Sequence, residues 1–384
     1  MASVTKDTII THELEVEAYT PEPELEGYGR TPPAPNADTI VARSYHPAFL
    51  GLFNKSEVPI YALLLSSADS SQNPLFHSGF VYLHDQDQLY TTSDLLQSGS
   101  SSLLPVVLIS RITFSREMET DIGDVPTNIT TLEWMKLRPP ANMPMPADAV
   151  SYKQGILYCS QGTLEPNTGG LYYMPIGKRP VPIVTNFYGR PFNSIQSVVV
   201  DGEGALWFVD SDVGYEREFR PKPQLPNYVY CLQPETATDP INLRVVADGF
   251  QRPIGIAMSP NGSVLYVADR LAAKTGDHVD SATIYAFDVV RTDHFMTNNT
   301  TAYLTNKRVF AVPTSGIPAA IKCNPGGFVY AACPGGLESW MSDGVPFDTI
   351  RIPGGCSSLT FGRHSEFFVG SERNLWYMRF RSRH

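Results

Sequence analysis

The chain has 384 residues and a formal net charge of −10. This charge argues against a nucleic-acid backbone or an anionic membrane surface as a partner. Hydrophobic residues make up 42% of the chain, and 32 Pro and 29 Gly indicate many turns. No window has the pattern of a long amphipathic helix, and none approaches the length of a membrane span. The composition therefore favours an all-β protein.

The N-terminal residues lack the basic start and apolar run of a secretory signal. The five cysteines are an odd number without metal-like spacing, so free thiols in a reducing cytosol are the simplest account. We therefore expect a cytoplasmic protein. Residues 1–40 are acidic and Pro-rich. A stretch of this kind buries little surface by itself, so we expect an N-terminal arm or strap followed by one main domain at 41–384.

A turn, a β run, a polar loop and a second β run recur six times along the main domain. Each copy alternates or is wholly apolar, as strands in stacked sheets are. Such units cannot bury their faces alone and must pack around a common axis, which predicts a six-bladed β-propeller. A β-sandwich is the alternative, but sandwiches do not usually repeat this unit six times. The copies are 80–83 with 88–90, 155–158 with 170–173, 205–208 with 228–230, 264–267 with 284–287, 327–330 with 337–340, and 366–369 with 375–378.

Two stretches are more specific than the strand repeats. Residues 187–194 read Phe-Tyr-Gly-Arg-Pro-Phe-Asn-Ser, and residues 214–230 run from Gly-Tyr-Glu-Arg-Glu-Phe-Arg-Pro to Leu-Pro-Asn-Tyr-Val-Tyr. Together with 45–51 and 74–82, they resemble the fungal branch of the SMP-30/gluconolactonase (lactonohydrolase) family. The resemblance runs from about residue 45 to the C-terminus. It implies a propeller with a metal ion at the mouth of its central channel, where the ion polarises an ester carbonyl and activates water.

The positions that carry the family's metal ligands hold other residues in this chain. Ser78 stands where the family has Glu, Gln196 and Ile254 where it has Asn, and Ala319 where it has Asp. An acid in the second blade is replaced by Gln161. Calcium requires several oxygen donors, usually including carboxylates, and the side chains of Ile254 and Ala319 offer none. We therefore predict that the pocket uses neither a metal nor another cofactor.

The residues around the channel mouth form the predicted site. The predicted catalytic hydrogen-bond donors are Gln196, Tyr215, Arg270 and His77. The predicted substrate contacts are Phe76, Ser78, Gln161, Phe192, Ile254, Ala319, Trp340 and Ser357. The apolar members of this group suit a hydrophobic small molecule, and the alternative is that they only fill the space left by the metal.

Two acidic residues near the site have a structural interpretation. Asp210 and Asp269 occupy matching places in two blades, which we interpret as just after an inner strand. We expect both to anchor loops through backbone hydrogen bonds. A nucleophilic serine is not indicated, because the chain has no Gly-x-Ser-x-Gly elbow. His77 and Ser78 are neighbours on a strand, so their side chains point to opposite faces.

Metal-free propellers that resemble this family occur in fungal biosynthetic clusters. The resemblance implies a hetero-Diels–Alder coupling of a tropolone quinone methide with a humulene-type sesquiterpene. The sequence therefore predicts a metal-independent cyclase or pericyclase that confines its reactants and donates a hydrogen bond to a polarised oxygen. A metal-dependent lactone hydrolase with altered ligands and a non-catalytic binding propeller are the alternatives. A homo-oligomer is compatible with the sequence.

Overall fold

The structure is a computed structural model that describes residues 3–6, 8–18, 39–46, 59–67, 73–97, 105–118, 126–137, 140–233, 242–271, 281–294, 299–363 and 365–380. The motif at 45–51 lies outside the described residues from position 47 onward, as do residues 19–38 of the expected arm. No helix in the described part of the chain is long and apolar enough to cross a membrane.

Five strands precede the first blade: β1 (Ser3–Lys6), β2 (His12–Glu13), β3 (Glu15–Ala18), β4 (Val41–Ser44) and β5 (Ile60–Ser66). Blade 1 contains β6 (Ser78–Leu83), β7 (Gln88–Thr92), β8 (Ile109–Met118) and β9 (Pro126–Leu137). Blade 2 contains β10 (Pro146–Tyr152), β11 (Gly155–Ser160), β12 (Gly170–Pro175) and β13 (Val181–Val184). A two-stranded ribbon follows, made of β14 (Asn186–Phe187) and β15 (Arg190–Pro191).

Blade 3 contains β16 (Ile195–Val200), β17 (Leu206–Asp210), β18 (Tyr228–Gln233) and β19 (Asn242–Ala247), with the short helix α1 (Val213–Glu216) after β17. Blade 4 contains β20 (Pro253–Met258), β21 (Val264–Arg270), β22 (Ala282–His294) and β23 (Asn299–Ala311). Blade 5 contains β24 (Ala320–Cys323), β25 (Val329–Cys333), β26 (Gly336–Trp340) and β27 (Pro346–Arg351). Blade 6 contains β28 (Ser358–Phe361), β29 (Glu366–Ser371) and β30 (Asn374–Arg379).

The six blades form a closed ring, which confirms the predicted six-bladed β-propeller. The first strand of each blade contacts the first strand of the next, and β28 of blade 6 contacts β6 of blade 1. Blade 6 receives its fourth strand from the N-terminal part of the chain, because β5 pairs antiparallel with β30. This pairing joins the two ends of the ring.

The remaining N-terminal strands add to the outer edges of three neighbouring blades. β1 pairs with β9 of blade 1, and β2 pairs with β5 of blade 6. β4 pairs antiparallel with the outer strand of blade 5, and β3 then pairs parallel with β4. The N-terminal residues that are described therefore follow the rim of the propeller.

The repeated sequence unit corresponds to the middle strands of the blades. In blades 2 to 6 the predicted pairs coincide with the second and third strands, and in blade 1 with the first and second. Middle strands have a hydrogen-bonded neighbour on both edges and a packed blade on both faces, so they are the most apolar. Residues 155–160, 206–210, 329–333 and 366–371 are buried throughout. Hydrophobic clusters fill the spaces between adjacent blades, where this burial supplies most of the driving force for folding.

Candidate functional site

The central channel opens into a cavity at each end. The first residues of the inner strands, including Ser78, Gln196 and Ile254, border a cavity of about 550 Å³. The last residues of the inner strands, including Val150 and Phe361, border a cavity of about 1140 Å³ at the opposite end. The inner strands thus run in the same direction along the channel, and each end has its own set of wall residues.

An ion pair and a hydrogen bond cross the channel between the two cavities. Asp148 lies between Ala147, which borders the smaller cavity, and Ala149, which borders the larger. Its carboxylate accepts a hydrogen bond from the Ser197 hydroxyl at 2.6 Å and lies 3.4 Å from the ammonium group of Lys322. Lys322 belongs to blade 5 and Asp148 to blade 2, so this ion pair joins opposite sides of the ring.

The smaller cavity is the candidate site because the predicted residues converge there. Its wall includes seven of them: His77, Ser78, Gln161, Gln196, Ile254, Arg270 and Ala319. Four of these are the positions at which the sequence resemblance places metal ligands, and they come from blades 1, 3 and 4 and the loop before blade 5. Its volume lies within the range of about 300–1,000 Å³ that is usual for small-molecule sites.

A glycine shapes the strand that enters the site from blade 1. Gly79 has a φ of +60°, and a Cβ there would lie 2.6 Å from the Ala147 carbonyl oxygen. Only glycine permits this close approach of the inner strands of blades 1 and 2 at a positive φ. The pairing of β6 with β7 shifts register between Ser78 and Val81, directly around this glycine. The irregularity accompanies the placement of both His77 and Ser78 on the cavity wall.

The side chains in the cavity do not fit a calcium-type metal site. Ser78 and Gln196 contribute a neutral hydroxyl and a neutral amide, whereas Ile254 and Ala319 contribute no oxygen. Among the described residues, no group of three or more His, Cys, Asp or Glu side chains is arranged to hold a metal ion. Calcium binds six to eight oxygen atoms and metal sites normally include carboxylates, so the wall lacks the required donor set.

The two carboxylates on the cavity wall are already paired with arginines. Asp94 accepts a hydrogen bond from Arg217 at 2.7 Å. Burial raises the pKa of Asp94, but nearby His77 and the Arg217 hydrogen bond outweigh it, so the net pKa lies below the usual range. Glu216 lies 2.8 Å from Arg252 and 3.5 Å from Arg270. These guanidinium groups would repel a divalent cation as well as occupy the carboxylate oxygens.

Gln196 does not have a free amide donor in this arrangement. Its Nε2 lies 2.8 Å from both the backbone oxygen and the hydroxyl oxygen of Ser194, and 3.4 Å from Oε1 of Gln161. An amide nitrogen carries only two hydrogen atoms, and both are used locally. Gln196 can therefore accept a hydrogen bond from a ligand through its carbonyl oxygen, whereas the sequence analysis assigned it as a donor.

His77 has one ring nitrogen bound to the protein and one left at the cavity. Nδ1–H donates to the Glu372 carboxylate, with distances of 2.9 and 3.0 Å to its two oxygens. Nε2 lies 3.8 Å from the nearest Asp94 oxygen, which is beyond hydrogen-bond distance. The side chain remains 29% exposed. His77 and Arg270 are thus the predicted donors that the structure leaves available on the cavity wall.

Three aromatic residues that were predicted to contact substrate lie in the hydrophobic core instead. Phe76 is fully buried and packs on Trp134, with ring centroids 5.3 Å apart. The ring centroids of Phe192 and Phe208 lie 5.5 Å apart. Trp340 belongs to the hydrophobic cluster between blades 4 and 5. All three side chains lie in hydrophobic clusters between neighbouring blades.

Tyr215 and Ser357 also lie away from the cavity wall. Tyr215 is on α1 and is 49% exposed, so its phenol faces outward although its neighbour Glu216 borders the cavity. The Ser357 hydroxyl lies within hydrogen-bond distance of the carbonyl oxygens of Phe76 and Gly370, at 3.0 and 3.1 Å. Ser357 therefore supports the loop that carries His77 without forming part of the wall.

Asp210 and Asp269 anchor loops, as the sequence predicted. The Asp210 carboxylate accepts the backbone N–H groups of Asn193 and Ser194 at 2.9 and 2.6 Å. Asp269 accepts two backbone N–H groups in the same way, at 3.0 and 2.7 Å. Both residues belong to the second strand of their blades, whereas the sequence analysis placed them just after an inner strand. Burial raises the pKa of Asp210 to about 7, although its two hydrogen bonds and Arg220 act in the opposite direction.

The two specific sequence motifs, at 187–194 and 214–230, contact each other and support the cavity wall. Arg220 donates to the backbone oxygens of Asn193 at 2.7 Å and Phe192 at 2.6 Å, and also to the Thr163 oxygen of the neighbouring blade. A Cβ at Gly214 would lie 2.4 Å from the Arg220 side chain, so glycine is required there. The motif at 214–230 therefore fixes α1 over the cavity mouth.

Sequence reasoning missed Asp94, Glu216, Arg217 and Glu372. Glu216 and Arg217 lie inside the motif at 214–230, which was a usable signal. Asp94 follows β7, and Glu372 forms the turn between β29 and β30 with a φ of +57°. Glu372 and His77 are 295 positions apart, so no local pattern relates them.

Residues 153–373 match the family described as the SMP-30/gluconolactonase/LRE-like region, which is more than half of the chain. The chain belongs to this family. Lactonohydrolase oryL of Aspergillus oryzae is 26% identical to it over 269 residues, which cover 64% of this chain and 57% of that protein. A gluconolactonase of Zymomonas mobilis is 25% identical over 206 residues, which cover 52% of this chain and 54% of that protein. The chain thus spans little more than half the length of these curated relatives.

Solved structures of the family share the fold. A gluconolactonase from Xanthomonas campestris, XC5397, superposes with a TM-score of 0.62 at 21% identity, covering 88% of this chain and 94% of that one. A putative gluconolactonase superposes with a TM-score of 0.61 at 18% identity, covering 89% and 98%. At these identities the likeness establishes the propeller and carries no information about the substrate.

Proposed function

We propose that the smaller cavity binds a largely apolar organic molecule that carries a carbonyl or related oxygen, and promotes its cyclisation or cycloaddition without a metal. The observation that carries this proposal is the convergence of Ser78, Gln196, Ile254 and Ala319 on one cavity. Two of these side chains have no donor atom, and the carboxylates beside them are neutralised by arginines. The wall is better suited to holding an uncharged molecule than to holding a cation.

A cycloaddition is compatible with the groups on the wall. It requires neither a nucleophile nor a metal, because the new bonds form from the π electrons of the two reactants. Holding the reactants in contact supplies several kcal/mol of the barrier reduction. A hydrogen bond from His77 or Arg270 to the oxygen of the electron-poor reactant would stabilise the charge that develops there. The hetero-Diels–Alder coupling implied by the sequence resemblance belongs to this class.

The direct test is a reaction of the full chain with α-humulene and a tropolone quinone methide generated in the reaction vessel. Product ratio and rate are followed by chiral chromatography, with an enzyme-free mixture as the control. We expect a faster reaction and a single dominant stereoisomer, both unchanged by EDTA. A rate and product mixture equal to the enzyme-free control would contradict this choice of substrates. Loss of activity in EDTA that calcium or zinc restores would contradict the metal-free chemistry.

Lactone hydrolysis is the second candidate, and the names of the relatives favour it. In that reaction water adds to the ester carbonyl, the ring C–O bond breaks, and the leaving oxygen takes up a proton. His77 is the only group on the described wall that is placed to exchange that proton without disrupting an arginine pair. Hydrolysis of δ-gluconolactone by the purified chain, measured by acid release with and without EDTA, separates this candidate from the first.

A further inference from the structure

The loops that carry His77 and Glu372 are joined by backbone hydrogen bonds. The Phe76 N–H donates to the Glu372 carbonyl oxygen at 2.8 Å, which forms a bridge between blades 1 and 6. Ser357 reinforces this bridge, because its hydroxyl contacts the Phe76 carbonyl oxygen and accepts the Glu372 N–H at 3.3 Å. The two side chains therefore start from backbone positions that are fixed relative to each other.

The two ring nitrogens of His77 have different surroundings. Nδ1 is engaged by both oxygens of Glu372. The Asp94 carboxylate is held by Arg217 at 2.7 Å and lies 3.8 Å from Nε2. Among the described residues Nε2 thus has no hydrogen-bond partner, although His77 borders the cavity. A ring nitrogen in this position is available to a bound molecule.

We propose that His77 presents its Nε2–H group to an oxygen atom of the bound small molecule, and that Glu372 is the positioning residue that holds the ring in this orientation. The inference rests on the proposed function for the identity of the ligand. The orientation of the ring and the role of Glu372 stand independently, on contacts within the protein. Glu372 is not itself among the residues that border the cavity, and its carboxylate contacts the His77 ring, so it acts through His77.

The charges around the ring favour a proton on both nitrogens. Burial alone lowers the pKa of His77, but the hydrogen bond to Glu372 and the charges of Glu372 and Asp94 outweigh burial and the opposing charge of Arg217. The pKa of His77 is therefore raised above its ordinary value of 6.5. Glu216 and Arg270 are the other charged groups on this wall, and they pair with each other across the cavity mouth.

Nuclear magnetic resonance of the full chain labelled with ¹⁵N-histidine tests the positioning directly. The chain has 8 histidines, and the His77→Gln variant assigns the signal. We expect a titration midpoint for His77 above 6.5, and a lower midpoint in Glu372→Gln, because an opposite charge in contact is removed. Glu372→Asp should restore part of the difference. Glu133→Gln, an exposed change in blade 1, should leave the midpoint unchanged.

A wild-type midpoint at or below 6.5, or an unchanged midpoint in Glu372→Gln, would overturn the role of Glu372. Tropolone, which carries adjacent carbonyl and hydroxyl oxygens, then serves as the probe for the cavity. In the uniformly ¹⁵N-labelled chain, we expect it to shift the His77 Nε2 resonance together with the side-chain amide signals of Gln161 and Gln196. Movement of the amide signals without His77 would refute the contact with the ligand. If no cavity signal moves, the proposed function is contradicted while the titration still decides the role of Glu372.

Discussion

Replacing Arg270 by alanine separates catalysis from stability at this site. Arg270 lies 3.5 Å from Glu216, and both side chains are more than a third exposed. Glu216 keeps its 2.8 Å contact with Arg252 after the change, so no carboxylate is left without a partner. We therefore expect the free energy of unfolding to fall by less than about 1 kcal/mol, as for exposed ion pairs.

The effect on the reaction should be larger than the effect on folding. If Arg270 donates to a developing charge, its loss lowers the rate about tenfold to a thousandfold, or about 1.4–4 kcal/mol of barrier. Some acceleration should remain because the cavity still confines the reactants, and stereoselectivity should fall along with rate. Arg270→Lys keeps the charge but loses the planar donor. Its rate should therefore lie between the rate of the natural chain and that of Arg270→Ala.

The assay is the rate and product ratio of each variant, with unfolding by urea measured in parallel. Arg308→Ala is the matched control, since Arg308 forms an exposed ion pair with Asp288 at 2.7 Å outside the cavity. It should change stability by a similar small amount and leave the rate unaltered. An unchanged rate in Arg270→Ala would refute the donor role. Complete loss of activity with fold and binding intact would refute catalysis by confinement, because it would require an obligatory chemical group.

Three further predictions test the wall and its support. Ala319→Trp should abolish ligand binding, measured by calorimetry with tropolone, because the indole ring would occupy part of the 550 Å³ cavity; undiminished affinity would place the ligand elsewhere. Asp210→Ala should lower the free energy of unfolding by about 2–6 kcal/mol, because the N–H groups of Asn193 and Ser194 lose their buried acceptor, and a loss below 1 kcal/mol would contradict the anchor role. Burial raises the pKa of Asp348 from 3.8 to about 7, so the folded chain holds this proton more tightly than the unfolded chain and stability falls as pH rises from about 4 to about 7. Asp348→Asn should therefore be more stable than the natural chain above pH 7, by about 4 kcal/mol at most. This difference in the free energy of unfolding, measured with urea, should vanish as the pH falls towards 4. A variant that is less stable than the natural chain at high pH would show that the carboxylate is favourably paired.

The propeller was predictable because each blade repeats an apolar pair of neighbouring strands. The ring closure was not, since it depends on the pairing of Leu65 with Leu375, whose segments lie at opposite ends of the chain. Strand β5 carries no signal that distinguishes it from an ordinary first strand. Pairing between distant segments is decided by the packing of the whole ring, which a local pattern does not contain.

The site was predictable where the motifs fixed the local register. Ser78, Gln196, Ile254 and Ala319 were placed by the residues around them, and all four border one cavity. Phe76, which is next to the wall residue His77 in sequence, lies in the core. Phe76 and His77 precede strand β6, and the register of that strand shifts beside Gly79, so the alternation of a regular strand does not give the direction of these side chains.

The most direct test of the metal-free cavity is calcium binding to the full chain, measured by calorimetry. The matched comparison is a variant that restores the family residues through Ser78→Glu, Gln196→Asn, Ile254→Asn and Ala319→Asp. We predict no stoichiometric binding by the natural chain and measurable binding by the restored variant, because the variant regains two carboxylates and two amide oxygens at the cavity wall. Tight binding of one calcium ion by the natural chain would contradict the account and favour the lactone hydrolase.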